Sequence, residues 1–89
     1  MTRARVIFSG TVQGVGFRYT VVRYAVSLGL KGWVRNCADG TVEVTVEGSR
    51  ETIEELYRNI EEYFKGYIRD REIQFSSAEN TFTDFRIIH

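Results

Sequence analysis

Hydrophobic and polar residues alternate along the first half of the chain, and in one stretch the pattern changes to helical spacing. Alternation and runs of strand-forming residues predict three strands, over Arg3–Ser9, Lys31–Cys37 and Thr41–Glu47. Apolar residues three or four positions apart predict a helix that begins at Phe17 and ends at Gly29: Phe17, Val21, Ala25 and Leu28. The tripeptide Ala38-Asp39-Gly40 is a turn signal that joins the second and third strands as a hairpin.

The second half of the chain repeats the order of a helix followed by strands. Ser49 is the predicted N-cap of a second helix, and Lys65-Gly66 fits its end. The apolar stripe of this helix is Ile53, Leu56, Tyr57, Ile60 and Phe64. The remaining residues predict a strand over Tyr67–Phe75, a polar loop over Ser76–Thr81 and a short final strand over Asp84–Ile88.

The predicted order is therefore β-α-β-β-α-β, with a short extra strand at the end. Two amphipathic helices bury their apolar stripes most simply on one face of an antiparallel sheet, so we predict an α+β, ferredoxin-like two-layer sandwich. The 89 residues suit one domain with one core, and we assign residues 1–89 to it. Because this fold carries many unrelated functions, it predicts none of them by itself.

Charge balance limits the kind of partner. Twelve Lys and Arg residues are matched by twelve Asp and Glu residues, whereas a nucleic-acid-binding domain is usually net basic. The first 40 residues carry six cationic side chains and one anionic side chain, and the rest carry six and eleven. This asymmetry can indicate an anion-binding face or only a dipole between two halves of one fold. The strands also lack the aromatic pattern of RNA-binding sheets, so we expect no nucleic-acid partner.

Other classes of protein are excluded by what the chain lacks. No apolar run approaches the length of a membrane span, and the N-terminal residues do not form a signal peptide, so we expect a cytoplasmic protein without a membrane partner. The single cysteine, Cys37, rules out an intrachain disulfide and a multi-cysteine metal site. The only histidine is His89, the last residue, which removes most histidine-based catalysis and zinc binding.

The most informative stretch runs from Gly10 to Arg18, between the first strand and the first helix. Its three glycines allow successive backbone N–H groups to turn toward one point, and the helix start adds unpaired donors. Together they form an anion site of the kind used for phosphate, to which Arg18 can add a planar, bidentate guanidinium. The spacing matches no nucleotide-binding motif. A glycine-rich turn with a surface arginine is an equally good interpretation on physical grounds alone.

A second stretch, Gly32–Glu43, surrounds the predicted hairpin. Asn36 lies at the end of the second strand, where its carboxamide can orient a water molecule or simply cap the turn. Cys37 does not fit a cysteine-based phosphatase, because such enzymes need an arginine six residues later and residue 43 is a glutamate. A half-buried structural cysteine is the better interpretation.

Together the two stretches resemble the acylphosphatase family. Its first signature resembles Gly10-x-Val12-Gln13-Gly14-Val15-Gly16-Phe17-Arg18, and its second resembles Gly32-Trp33-Val34-x-Asn36-x-x-Asp39-Gly40-x-Val42-Glu43. The close likeness runs from about Gly10 to Gly48, and the rest is matched more by fold than by sequence. Cys37 stands where many members carry a hydroxyl or aliphatic residue, and Gly66-Tyr67 replaces a frequent Gly-Pro.

The resemblance implies an enzyme that hydrolyses the carboxyl–phosphate bond of acyl phosphates without metal or cofactor. It implies that Arg18 grips the phosphoryl oxygens, that the backbone N–H groups of Val15, Gly16, Phe17 and Arg18 complete the phosphate site, and that Asn36 orients the attacking water. The partners would be a small-molecule acyl phosphate and inorganic phosphate, as product and competitive inhibitor. We expect a monomer.

The residue chemistry is compatible with that mechanism. The predicted site has no histidine, metal cluster or well-placed cysteine, and so no usual general base or covalent nucleophile. A mixed anhydride has a good leaving group, so positioning water and neutralising phosphoryl charge can suffice, with a substrate phosphate oxygen taking the proton. The alternative is a non-catalytic anion-binding module on the same fold. Having both Arg18 and Asn36 favours catalysis, because docking an anion needs no carboxamide for water.

Overall fold

The computed structural model describes all 89 residues, which form five strands and two helices. They are β1 (Thr2–Gly10), α1 (Phe17–Ser27), β2 (Lys31–Asn36), β3 (Val42–Gly48), α2 (Arg50–Tyr63), β4 (Ile68–Ser77) and β5 (Phe85–Ile87). The structure confirms every predicted element. Neither helix has the length and apolar character needed to cross a membrane.

The strands form one sheet in the order β4-β1-β3-β2-β5, and the predicted sandwich is confirmed. The first four strands pair antiparallel, and β5 adds to the far edge of the sheet parallel to β2. The predicted loop over Ser76–Thr81 starts later than expected, because β4 continues through Ser77. The ladder between Ser77 and Thr2 is made by backbone groups, so polar side chains do not end the strand.

Both helices pack on one face of the sheet, and a single core of 18 buried residues lies between the layers. The start of α1 is fixed by an aromatic cluster. The ring of Phe17, which is almost fully buried, lies 5.2 Å from that of Phe8 on β1 and 4.6 Å from that of Phe64 after α2. Aromatic contacts at these distances stabilise beyond the area they bury. The first turn of α1, which carries Arg18, is therefore rigidly placed.

The central strand β3 is buried on both faces, which its alternation does not reveal. Its valines face the helices, whereas Glu43 and Glu47 lie on the other face and are each no more than 5% exposed. Arginine side chains cover them: Arg35 donates to Glu43 at 2.8 Å and Arg3 donates to Glu47 at 2.8 Å. Arg5 also pairs with Glu43. Buried carboxylates need such partners, because an unpaired buried charge is strongly destabilising.

Glu43→Gln is expected to destabilise the fold at neutral pH. Burial would raise the pKa of Glu43, but hydrogen bonds and charge from Arg5 and Arg35 outweigh it and hold the pKa below its ordinary value of 4.5. The stabilisation is therefore complete above pH 4.5 and is lost as the pH falls through the lowered pKa. We expect Glu43→Gln to cost about 1–2 kcal/mol at pH 7, because hydrogen bonds to a charged group are lost.

Urea denaturation of the wild-type protein and Glu43→Gln at pH 7 and pH 3 measures this effect. The difference in unfolding free energy should be present at pH 7 and shrink at pH 3. Glu55→Gln is the matched control, because Glu55 is exposed on α2 and makes no ion pair. An equal loss at both pH values would show that the Glu43 carboxylate charge does not carry the effect.

Candidate functional site

A small open cavity lies where the loop between β1 and α1 meets the ends of β2 and β5. Its volume is about 120 Å³. Four of the residues singled out from the sequence line it: Gly16, Phe17, Arg18 and Asn36. The others are Val12, Gly14, Tyr19 and Ile87. The fold thus brings together Arg18 and Asn36, which are 18 positions apart in the chain.

Val15 is the one predicted site residue that does not line the cavity. Its side chain is half-buried and packs against the hydrophobic core. Any part it plays in binding therefore belongs to its backbone N–H group, which is the role that the family resemblance implies. Ile87 reaches the cavity from β5, and no local signal in the sequence marks it as a site residue.

The loop leaves a row of backbone donors unused. Gly14 and Gly16 both have φ of 78°, a left-handed conformation that favours glycine. Gly16 is the N-cap of α1 and offers no side-chain cap. The N–H groups of Val15, Gly16, Phe17 and Arg18 donate to no acceptor in the chain. Free donors at the N-terminus of a helix are the ordinary setting for a bound anion.

Arg18 is half-buried in this cavity and forms no ion pair or hydrogen bond within the chain. By contrast, Arg3 and Arg5 on β1 and Arg35 on β2 are paired with the buried glutamates of β3. The position of Arg18 is also unfavourable for α1, because a cation in the first turn opposes the helix dipole, and that turn holds no acidic residue. An anion bound between Arg18 and the free N–H groups would interact favourably with both the guanidinium and the helix dipole.

Asn36 ends β2 and shares its register with Val42, so its side chain lies on the same face of the sheet as the helices. Its Oδ1 atom is buried and has no hydrogen-bond partner. A buried carbonyl oxygen without a partner costs about 1–3 kcal/mol. The fold therefore retains at the cavity a polar atom, Asn36 Oδ1, that forms no hydrogen bond with the rest of the chain.

The β2–β3 turn does not use Asn36 as a cap. Its backbone is closed by two hydrogen bonds, from Cys37 N to Thr41 O at 2.8 Å and from Gly40 N to Cys37 O at 3.1 Å. Asp39 supplies the side-chain cap by accepting from the hydroxyl of Thr41 at 2.6 Å and from its N–H at 3.1 Å. These bonds lower the pKa of Asp39, the hydroxyl contributing most. The turn-cap interpretation of Asn36 does not agree with this geometry.

Gln13 forms contacts in this region that its position in the sequence does not predict. Its Nε2 donates to the carbonyl oxygens of Cys37 at 2.8 Å and Thr41 at 2.9 Å. Gln13 belongs to the first motif, but only the folded chain shows that it reaches the turn within the second motif. The thiol of Cys37 does not line the cavity, and its Sγ lies 4.0 Å from a carboxylate oxygen of Glu43.

A larger cavity, of about 320 Å³, lies on the surface between the end of α2 and the start of β4. The lysine and arginine side chains that line it lie beside Glu61 and Asp70, and Arg71 is paired with Glu61 at 2.8 Å. The smaller cavity is the better candidate, because no carboxylate lines it and it combines an unpaired arginine with free backbone donors. Nowhere does the structure assemble three or more His, Cys, Asp or Glu side chains into a metal-binding cluster.

This chain is similar in sequence to known proteins. The sequence model of the family described as Acylphosphatase matches residues 4–87. An acylphosphatase from Methanospirillum hungatei is 43% identical over 79 residues, which cover 89% of this chain and 87% of that protein.

Solved structures show the same relationship. The crystal structure of acylphosphatase from Bacillus subtilis has a TM-score of 0.92 and 33% identity, and the match covers 100% of both chains. The structure of an acylphosphatase from Coxiella burnetii has a TM-score of 0.87 and 34% identity, covering 98% of this chain and 92% of that one. The family resemblance drawn from the two motifs and the enzymatic role it implies are both confirmed: this chain belongs to the acylphosphatase family.

Proposed function

We propose that this chain hydrolyses the carboxyl–phosphate bond of acyl phosphates by direct in-line attack of water on phosphorus. The observation that carries the proposal is the pairing of two unsatisfied groups in one cavity: the unpaired guanidinium of Arg18 and the unpartnered carboxamide of Asn36. An anion-docking site would account for the first group but not for the second.

The loop between β1 and α1 and the side chain of Arg18 bind the phosphoryl group. The free N–H groups of Val15, Gly16, Phe17 and Arg18 donate to the phosphoryl oxygens, and the guanidinium adds two parallel charge-assisted bonds. In phosphoryl transfer, positioning and charge stabilisation provide almost all of the catalysis. These donors are fixed before substrate arrives, so they need little reorganisation during the reaction.

Asn36 holds the attacking water. The terminal torsion of a carboxamide is soft, so a rotation about it turns Oδ1 into the cavity, where it accepts a hydrogen bond from the water. The water oxygen forms a bond to phosphorus while the bond between phosphorus and the acyl oxygen breaks. A phosphoryl oxygen takes the water proton, and the carboxylate leaves without needing an acid. The products are a carboxylate and inorganic phosphate.

The size of the cavity indicates a small-molecule substrate gripped at its phosphoryl end. Its volume of about 120 Å³ is well below the roughly 300–1,000 Å³ of pockets that enclose a drug-sized ligand. This is room for a phosphoryl group and one water, so the acyl body lies outside. Inorganic phosphate occupies the same place and competes with substrate. One chain supplies every lining residue, so we expect a monomer to be active.

Hydrolysis is expected to continue unchanged in excess chelator. The cavity contains no cluster of metal-ligating side chains, and the charge of the phosphoryl group is met by Arg18 and backbone donors instead. Hydrolysis of benzoyl phosphate by the purified protein, with and without EDTA, measures this. Loss of activity in EDTA that one divalent cation restores would contradict the proposed mechanism. Phosphate binding without any hydrolysis would favour the docking module instead.

A further inference from the structure

We propose that Gln13 is a positioning residue that ties the phosphate-binding loop to the β2–β3 turn and so sets the distance between that loop and Asn36. We name the two hydrogen bonds from Gln13 Nε2 to the carbonyl oxygens of Cys37 and Thr41 the Gln13 clamp. The proposal rests on the proposed function, because it assigns phosphate to the loop and water to Asn36.

The clamp is well formed on both sides. A primary amide has two N–H bonds, and both are used, at 2.8 Å and 2.9 Å. The two acceptors belong to the residues that close the turn by their own backbone hydrogen bond. The Asp39 cap braces the same turn, so the carbonyl groups are held in place before Gln13 reaches them. Gln13 thus attaches a loop to a rigid support.

The loop has few other restraints at this point. Its backbone hydrogen bonds lie at its two ends, from Thr11 N to Tyr67 O at 2.9 Å and from Thr20 N to Gly16 O at 3.1 Å, and Val12 anchors it by complete burial. From there to α1 the chain passes through Gly14 and Gly16, whose backbone is the most permissive available. No other side chain between Thr11 and Gly16 forms a hydrogen bond. The Gln13 clamp is therefore the polar restraint on the segment that supplies the phosphate donors.

The attachment points explain why this restraint matters for catalysis. One carbonyl that the clamp holds belongs to Cys37, the residue directly after Asn36. On the other side, Gln13 lies two positions before Val15, the first of the free loop donors. Through Gln13, Cys37 and Thr41, the clamp therefore connects the loop that binds phosphate to the end of β2 that carries Asn36. In-line attack is sensitive to this spacing, since a misplacement of 1 Å can cost about 10²-fold in rate.

Replacing Gln13 by methionine tests the proposal. Methionine is unbranched and of similar length, but it cannot donate to either carbonyl. We expect Gln13→Met to lower kcat for benzoyl phosphate at least ~10-fold, with a smaller, few-fold rise in the inhibition constant of phosphate. The matched control is Gln74→Met, because Gln74 is exposed on β4 and forms no side-chain hydrogen bond. It should retain wild-type kinetics. If Gln13→Met does not fold, Gln13→Asn replaces it, since the shorter amide cannot span both carbonyls.

A double-mutant cycle with Asn36→Ala separates positioning from simple stabilisation. If Gln13 acts by aligning the loop with Asn36, Gln13→Met should lower kcat at most ~2-fold once Asn36 is alanine. An equal loss in both backgrounds, or a folded Gln13→Met protein with wild-type kcat and only a lower Tm, would overturn the clamp. Wild-type kcat in Asn36→Ala alone would instead overturn the water-holding role of the proposed function, so the two failures are distinguishable.

Discussion

Arg18→Ala is expected to abolish hydrolysis of benzoyl phosphate and inhibition by inorganic phosphate together, with kcat falling at least ~10³-fold, as when other enzymes lose an arginine that stabilises phosphoryl transfer. Arg18 is the unpaired guanidinium of the cavity, and nothing else there provides a full positive charge. Arg18→Lys should not restore the rate, because an ammonium group cannot reproduce the planar, bidentate contact.

Arg18→Ala should not lower stability, although it abolishes activity. In the absence of phosphate, Arg18→Ala should leave Tm unchanged or slightly raised, because it removes a cation from the N-terminal turn of α1. Added phosphate should raise the Tm of the wild-type protein, with roughly 2.7 kcal/mol of stabilisation at 100 times Kd, but not that of the variant. Arg58→Ala is the matched control, since Arg58 is exposed on α2 and forms no ion pair. Near-normal rate and phosphate affinity in Arg18→Lys would make Arg18 an ordinary surface residue.

Asn36→Ala is expected to lower kcat by at least ~10²-fold, comparable to the loss of one well-placed polar group in an active site. In the proposed mechanism the carboxamide acts on the attacking water and not on the phosphoryl group, so its effect belongs to the transition state. The inhibition constant of phosphate should therefore stay within a few-fold of the wild-type value, since Arg18 and the loop donors are untouched. This split between rate and affinity is the signature of a water-orienting residue.

The same variant should not lose stability. Asn36 Oδ1 is buried without a partner, so its removal takes away an unsatisfied group, and Tm should be unchanged or slightly higher. A residue that capped the turn would instead cost about 1 kcal/mol on substitution. Asn59→Ala is the control, because Asn59 is half-buried on α2, away from the cavity. A folded Asn36→Ala protein with wild-type kcat would remove Asn36 from the reaction.

Local patterns in the sequence were sufficient to predict the elements and much of the site. The valines of β3 alternate toward the helices, Ser49 caps α2 by accepting from Thr52 N–H at 3.2 Å, and the glycines before Phe17 form the loop. Each of these features depends on residues within a few positions of one another, where periodicity and backbone preference act directly. Arg18 and Asn36 were identified by their motifs, although the motifs could not show that they share a cavity.

Only the tertiary structure decided which polar side chains have hydrogen-bond or ion-pair partners and which have none. It buries Glu43 and Glu47 under arginines from neighbouring strands, brings Ile87 to the cavity on β5, and joins Gln13 to a turn more than twenty positions away. It also leaves Arg18 and Asn36 Oδ1 without partners. Hydrogen bonding and burial depend on every element that packs nearby, so a pattern confined to a few neighbouring residues contains no record of them. The sequence by itself thus determined the elements and the family and predicted Arg18 and Asn36 as site residues, whereas long-range packing left the side chains of these two residues without partners.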